Sequence, residues 1–203
     1  MANFKDAYNL LIDKEYSSRP DRFLHHNRTE ETITLGGVYR KVHPNAIDWE
    51  FVDKIIAVCE SHSIHDSLED NQAQYQEDLE RASTMLYYDK HIKTQVQNFF
   101  KEHFWNTLKL DLVHSNKIAK QIFLFGVVSG VRNSAKIAQR VAGVKDDGLI
   151  GNISLKSFNI QNEDTFVSTF YRLEQEYYDM LVEKNPSLAV YRDGWRNRGI
   201  FNV

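Results

Sequence analysis

The chain has 203 residues, of which 42% are hydrophobic and 12% aromatic, enough for one large domain or for a domain with a small appendage. Its formal charge of −3 argues against non-specific nucleic-acid binding, which requires basic side chains to neutralise many phosphates. No run approaches the about 18 uninterrupted apolar residues of a membrane span. The single cysteine, Cys59, excludes an intramolecular disulfide and is interpreted as a small core residue, so packing must hold the fold together.

The N-terminal segment predicts a helix with a carboxylate where an apolar side chain is expected. Phe4, Tyr8 and Leu11 recur at spacings of four and three, and Glu15 continues this stripe one turn later. A carboxyl group there is expected to be partly buried at the negative end of the helix dipole, and both effects favour a bound proton. Such a group can act as a general acid. The alternative is an ordinary last-turn glutamate that reaches solvent.

A polar loop and a short β-branched segment follow this helix. The loop passes Pro20, and the segment continues to the pair Gly36-Gly37 and to Val38 and Tyr39, which predicts a small hairpin of residues 32–34 and 38–39. A helix-terminal glutamate that faces a hydroxyl-bearing strand across a polar loop is the arrangement found in lysozyme-like enzymes.

The rest of the chain is predicted to be mainly helical. Helical spacing and capping residues predict helices over residues 48–59, 71–88, 91–105, 115–129, 134–142 and 164–185. The turn Asp146-Asp147-Gly148 breaks this pattern, and Trp105 is assigned to the core. No low-complexity linker is present, so the C-terminal part is expected to pack instead of moving on a tether.

Four separated blocks, taken in their order and spacing, resemble a known family. The blocks are Glu15; TLGGVY at residues 34–39; residues 130–154, in which Gln139-Arg140 precedes DDGLIGNIS; and GWRNR at residues 194–198, preceded by Pro186. They resemble glycoside hydrolase family 108, the N-acetylmuramidases with a C-terminal peptidoglycan-binding-like module that occur in phage endolysins and in bacterial proteins labelled secretion activators.

The resemblance implies a mainly α, lysozyme-like α+β fold with a small β-hairpin and a packed C-terminal helical module. Residues 1–113 would form the catalytic lobe, and residues 114–203 the helical region with the peptidoglycan-binding-like module. The implied activity is hydrolysis of the β-1,4 bond between N-acetylmuramic acid and N-acetylglucosamine in peptidoglycan, with Glu15 as general acid and without a cofactor. We expect a monomer.

The loop between the helix and the hairpin departs from the family pattern. Many members carry Asp-Pro-Gly-Gly-x-Thr before the strand, whereas this chain has LHHNRTEETIT and lacks the aspartate. Glu30, four residues before Thr34, is the nearest acidic substitute and the candidate base, with Glu31 and Asp21 behind it. Thr34 is the candidate for holding the water, although β-branched residues are common in strands. Because a hydroxyl cannot serve as an anionic nucleophile, this pair favours an inverting course.

Several side chains are predicted to contact the glycan. His26, Asn27, Tyr39 and Arg40 lie around the expected cleft, and Trp195 in the last block could stack on a sugar. Arginines also cluster in this part of the sequence and could face the carboxylates of murein, or be solvated loop charges. They are Arg19, Arg22, Arg28 and Arg40.

The spacing of Cys59, His62 and His65 invites a metal interpretation. On a helix, however, these three residues spread over about 120° of the surface, and the sequence offers no fourth ligand, so no metal site is predicted.

Two further functions stay open at this stage. Loss of the loop aspartate could indicate a wall-binding protein that kept the fold and lost the chemistry, or a lytic transglycosylase that needs one glutamate. Lys5 and Asp6 interrupt the apolar region that a signal peptide requires. We therefore expect synthesis in the cytoplasm and action on the cell wall after holin-type release or dedicated export.

Overall fold

A mainly helical chain with one small antiparallel sheet is seen in the computed structural model, which describes residues 1–27, 30–61, 71–192 and 195. The predicted fold class is confirmed. The helices are α1 (Phe4–Tyr16), α2 (Trp49–Ser61), α3 (Asn71–Tyr88), α4 (Lys90–Phe100), α5 (Asn116–Ser129), α6 (Val131–Val141), α7 (Asn152–Ile160) and α8 (Glu163–Lys184). The strands are β1 (Leu24–His25), β2 (Thr34–Leu35) and β3 (Val38–Tyr39). Among the helices described, none has the length and apolar character needed to cross a bilayer.

The chain divides into two compact units. One unit is residues 12–100, and the other combines Met1–Leu11 with the chain from Lys101 onward. Helix α1 contributes its first part to one unit and its last turn to the other, and Glu15 belongs to the unit of residues 12–100. The boundary predicted after residue 113 separates a catalytic lobe from a peptidoglycan-binding-like module, and it stays a prediction.

A tight glycine turn sets the geometry of the sheet. The strands lie in the order β1-β2-β3, and both neighbouring pairs are antiparallel. Gly36 and Gly37 connect β2 to β3 with φ values of +55° and +84°, a two-residue loop of the type that matches the strand twist. A Cβ added at Gly36 would lie 2.7 Å from the Phe23 ring. Any other residue here would therefore have a strained backbone and no space for its side chain.

Helix α3 holds the start of the sheet through one buried hydroxyl. Ser83 Oγ accepts a hydrogen bond from Leu24 N (2.8 Å) and donates one to Pro20 O (2.7 Å). Because Pro20 begins a 3₁₀ turn and Leu24 begins β1, one side chain fixes both segments on α3.

The other unit has an aromatic core around α5. The ring of Phe125 meets those of Phe170, Tyr177 and Tyr178 on α8 edge to face, at centroid distances of 5.5–5.8 Å. The assignment of Trp105 to the core is confirmed, since the residue is fully buried and its Nε1 donates to Asp111 Oδ1 at 2.7 Å.

Several predicted helix boundaries were wrong, for identifiable reasons. The helix expected over residues 91–105 is α4, which ends at Phe100 and continues as a π-helix over Lys101–Asn106. Ser134 was taken as a helix start, but its hydroxyl donates to Ile122 O (2.6 Å), and α6 begins three residues earlier. The actual break is Gly130, with φ +87°. Strand β1 and helix α7 were not predicted.

The core position of Cys59 is confirmed. Its sulfur lies 3.9 Å from that of Met85, and burial raises the pKa of the thiol. His62 and His65 lie outside the described residues. In the ranges that the structure does describe, no three His, Cys, Asp or Glu side chains come together as metal ligands.

Candidate active site

The last turn of α1 carries Glu15 as a half-buried residue. The apolar stripe that precedes it is confirmed, because Phe4, Tyr8 and Leu11 are all buried. Glu15 therefore lies between core and solvent, as the stripe predicts. Its role as general acid stays a prediction.

The residue next to Glu15 packs against the chain segment that supports the hairpin. The Tyr16 ring meets the Phe23 ring edge to face at 5.2 Å. Phe23 O in turn accepts a hydrogen bond from Gly36 N (2.7 Å), and its ring lies under the glycine turn. Two contacts thus connect the end of α1 to the β2–β3 hairpin.

The sheet has one apolar and one polar face. Leu24 pairs with Leu35, and Leu35 with Val38, and all three side chains are at most 1% exposed. Since neighbouring residues of a strand point to opposite faces, the alternate pairs His25–Thr34 and Thr34–Tyr39 place these three residues in a row on the other face. His25 and Tyr39 are half-buried, and Thr34 is 6% exposed.

Glu30 and Thr34 are in direct contact. Thr34 Oγ1 donates a hydrogen bond to Glu30 Oε2 at 2.9 Å. The loop before β2 holds Glu30 by its backbone: its N–H donates to Asn27 O (3.0 Å), and its carbonyl lies 3.1 Å from His26 Nε2. Because a carbonyl can only accept, His26 must donate from Nε2. His26 and Asn27 are exposed and shape this loop.

This contact fixes how Thr34 can bind a water molecule. A hydroxyl has one hydrogen, and here that hydrogen is directed to Glu30, so Oγ1 presents only lone pairs to further partners. The second oxygen of Glu30 is also an acceptor. A water that donates to both groups would have a carboxylate beside it to take a proton.

The other two acids that were considered for the base have cationic partners. Glu31 is exposed and pairs with Lys41 (2.5 Å), while its N–H donates to the Tyr39 hydroxyl (3.2 Å). Asp21 accepts hydrogen bonds from Nε and Nη2 of Arg19, and this guanidinium holds the pKa of Asp21 below its usual value. The carboxylates of Glu31 and Asp21 thus contact basic side chains, whereas the carboxylate of Glu30 contacts Thr34.

Arg40 is engaged with helix α2. Its two terminal nitrogens donate to the two carboxylate oxygens of Asp53 at 2.6 and 2.9 Å, and the guanidinium lies 5.4 Å from the centre of the Trp49 ring. Asp53 raises the pKa of Arg40. The geometry gives Arg40 a structural task, the attachment of the end of β3 to α2, and its predicted contact with a substrate stays a prediction. Arg28 lies outside the described residues.

Trp195 belongs to the other compact unit. Its ring stacks on Tyr178 at 5.0 Å with an interplanar angle of 19°, and it lies 6.0 Å from the Tyr191 ring. One face of the indole is thus used in packing. Residues 194 and 196–198 of the same block lie outside the described residues.

The DDGLIGNIS block forms a turn around the buried amide of Gln139. Its Nε2 lies within 3.0–3.2 Å of Asp147 Oδ1, Leu149 O and Ser154 Oγ, and its Oε1 accepts from Gly148 N at 2.8 Å. The sequence comparison paired Gln139 with this block without identifying the contact. The pattern therefore has a structural explanation.

Comparison with known proteins places the fold among solved structures. No family model and no curated protein matches the chain. The solved structure of Brucella abortus SagA matches it with a TM-score of 0.60 and 16% sequence identity, over 97% of this chain and 88% of that one. At this identity the likeness shows a shared fold.

Proposed function

We propose that this chain is a peptidoglycan hydrolase that cleaves the β-1,4 bond between N-acetylmuramic acid and N-acetylglucosamine. The observation that carries the proposal is the hydrogen bond from Thr34 to Glu30, on the polar face of the sheet and in the same compact unit as Glu15. A carboxylic acid, a second carboxylate and a site for water are the groups that an inverting glycosidase requires.

Glu15 is the proton donor in this mechanism. It protonates the glycosidic oxygen as the bond from that oxygen to the anomeric carbon breaks and positive charge develops on the sugar ring. Glu15 is half-buried at the end of α1, in the same compact unit as Glu30 and Thr34.

Glu30 and Thr34 act on the attacking water. The water donates one hydrogen to Thr34 Oγ1 and the other to the free oxygen of Glu30, so a lone pair is directed to the anomeric carbon. As the new carbon–oxygen bond forms, Glu30 takes the proton. The water attacks from the side opposite the leaving group, and the configuration inverts.

Two independent likenesses support the substrate class and the fold. The four sequence blocks resemble muramidases, and the likeness to SagA supports the overall fold in which these blocks lie. Fold alone does not give a function, so the residues at the sheet carry the proposed activity.

The products of digested sacculi test the proposal. Mass spectrometry of the soluble fragments should show muramic acid at reducing ends, and these should be absent after digestion with Glu15→Gln protein. Anhydro ends would instead indicate a lytic transglycosylase, and binding to sacculi without release of fragments would indicate a wall-binding protein. NMR of the first anomer released reports whether the configuration inverts.

A further inference from the structure

The row His25–Thr34–Tyr39 contains a histidine that the mechanism does not use. His25 is the cross-strand partner of Thr34 in the β1–β2 pair, so their Cβ atoms are about 4.5–5.5 Å apart on the same face. The opposite face of the strand pair is closed by the core. The side chain of His25 therefore lies next to the proposed water site.

A backbone contact determines which ring nitrogen of His25 carries the proton. Its Nδ1 lies 3.1 Å from Arg22 O. A carbonyl oxygen only accepts, so Nδ1 carries the hydrogen, and in the neutral ring Nε2 then has the lone pair. His25 is half-buried, held at Nδ1, and presents an acceptor at Nε2.

The three side chains of the row then have a fixed hydrogen-bonding order. His25 Nε2 accepts, and Thr34 Oγ1 accepts because its hydrogen is directed to Glu30. The Tyr39 hydroxyl accepts from Glu31 N and keeps its own hydrogen to donate. Sugars and their N-acetyl groups carry O–H and N–H donors that match acceptors of this kind.

We infer that His25 is a substrate-binding residue whose Nε2 accepts a hydrogen bond from a hydroxyl or amide N–H of the N-acetylated sugar that lies over the sheet. This inference rests on the proposed function. It assigns His25 to substrate binding and not to proton transfer, so its removal should affect KM more than kcat.

Two substitutions separate this role from a structural one. Asparagine places an N–H where Nδ1 lies and keeps the contact with Arg22 O, but it has no atom at the position of Nε2. Glutamine places an oxygen or nitrogen at the position of Nε2 and loses the contact with Arg22 O. The experiment measures KM and kcat for a soluble tetrasaccharide of alternating N-acetylglucosamine and N-acetylmuramic acid.

We expect His25→Asn to raise KM about three- to tenfold, the loss of one neutral hydrogen bond, with kcat nearly unchanged. His25→Gln should stay near the wild-type KM. A wild-type KM in the Asn variant would overturn the inference, whatever the Gln variant does. If both variants have a raised KM, or fail to fold, NMR of the unchanged His25 ring distinguishes substrate binding from a structural role. In Glu15→Gln protein, ¹⁵N NMR should then show a proton on Nδ1 and a shift of Nε2 when the tetrasaccharide is added.

A proton on Nε2, or an Nε2 resonance that the tetrasaccharide leaves unchanged, would overturn the inference. These failures differ from failure of the proposed function. If wild-type protein cleaves the tetrasaccharide and the His25 results are contrary, only the role of His25 is wrong. If the wild-type protein does not cleave it, the proposed function fails, and the inference fails with it.

Discussion

The contact between Thr34 and Glu30 makes a prediction that two substitutions and their combination can test. Glu30→Gln keeps an oxygen that can accept from the Thr34 hydroxyl, but it removes the base. Thr34→Val keeps the β-branched shape of a residue that is 6% exposed and removes the hydroxyl. Each change thus deletes one half of the proposed water site with little change of volume.

The expected losses of activity are large and not additive. Loss of a general base costs about 10²- to 10⁴-fold in rate, and a misplaced water about 10²-fold. Because both groups act on the same water, the double variant should be no slower than Glu30→Gln alone. Thr34→Ser, which keeps the hydroxyl, should retain most of the activity.

The stability cost of these changes should be small. A hydrogen bond to a charged group is worth about 1.5–3 kcal/mol, but Glu30 is half-buried and can bind water instead, so we expect about 1 kcal/mol for Thr34→Val. In a chain of this length that lowers Tm by about 2–4 °C. Release of reducing ends from sacculi measures the loss of activity, and thermal melting of the same samples measures the loss of stability.

Two results would refute this reasoning. One is a folded Glu30→Gln variant with near wild-type turnover, which would mean that water is activated without this carboxylate. The other is a double variant whose loss equals the product of the single losses, which would mean that Glu30 and Thr34 act on different steps. Glu31→Gln is the matched control, because Glu31 is exposed beside Lys41 and should be nearly silent.

Glu15→Gln should reduce lysis by about 10²- to 10⁴-fold without unfolding the protein. Asp13→Asn in the same helical turn is the control and should leave lysis unchanged. A folded Glu15→Gln variant with more than about a tenth of the wild-type activity would contradict the assignment. Gly36→Ala should lower Tm more than Gly37→Ala, because its added Cβ would lie 2.7 Å from an aromatic ring, against 3.2 Å at Gly37. At Gly36 the backbone strain at φ +55° and the steric overlap together cost about 2–5 kcal/mol. Truncation after Gly143 removes α8, which covers the aromatic core of its unit, so the fragment should be insoluble or molten; a cooperatively melting fragment 1–143 would contradict this.

The sequence predicted local structure well where a helical spacing of apolar residues extends over several turns, or where glycines mark a turn. Phe4, Tyr8 and Leu11 define α1 and therefore place Glu15, and the glycine pair at residues 36–37 defines the hairpin. Glu30 and Thr34 were both named as candidates from their spacing, but the hydrogen bond between their side chains was not predicted.

Short elements and single polar contacts could not be predicted in the same way. Strand β1 has two residues, too few for any alternation, so the place of His25 beside Thr34 was not visible. The ion pair of Arg40 was not predicted, because its partner Asp53 is 13 residues away on another element. Ser134 was taken as a helix start, because the acceptor of its hydroxyl, the carbonyl of Ile122, belongs to the preceding helix and is not visible from the local sequence.

The Gln139 amide organises a turn without using charge. The turn itself contains a carboxylate, Asp147, whose pKa is lowered by the N–H of Leu149 and then by the Gln139 amide. A glutamate at position 139 would have the same shape but would exchange the donating NH₂ for a second oxygen facing Asp147, Leu149 O and Ser154. A neutral side chain with both a donor and an acceptor is therefore the chemical requirement at this position, and the amide itself neither gains nor loses a proton as the pH changes.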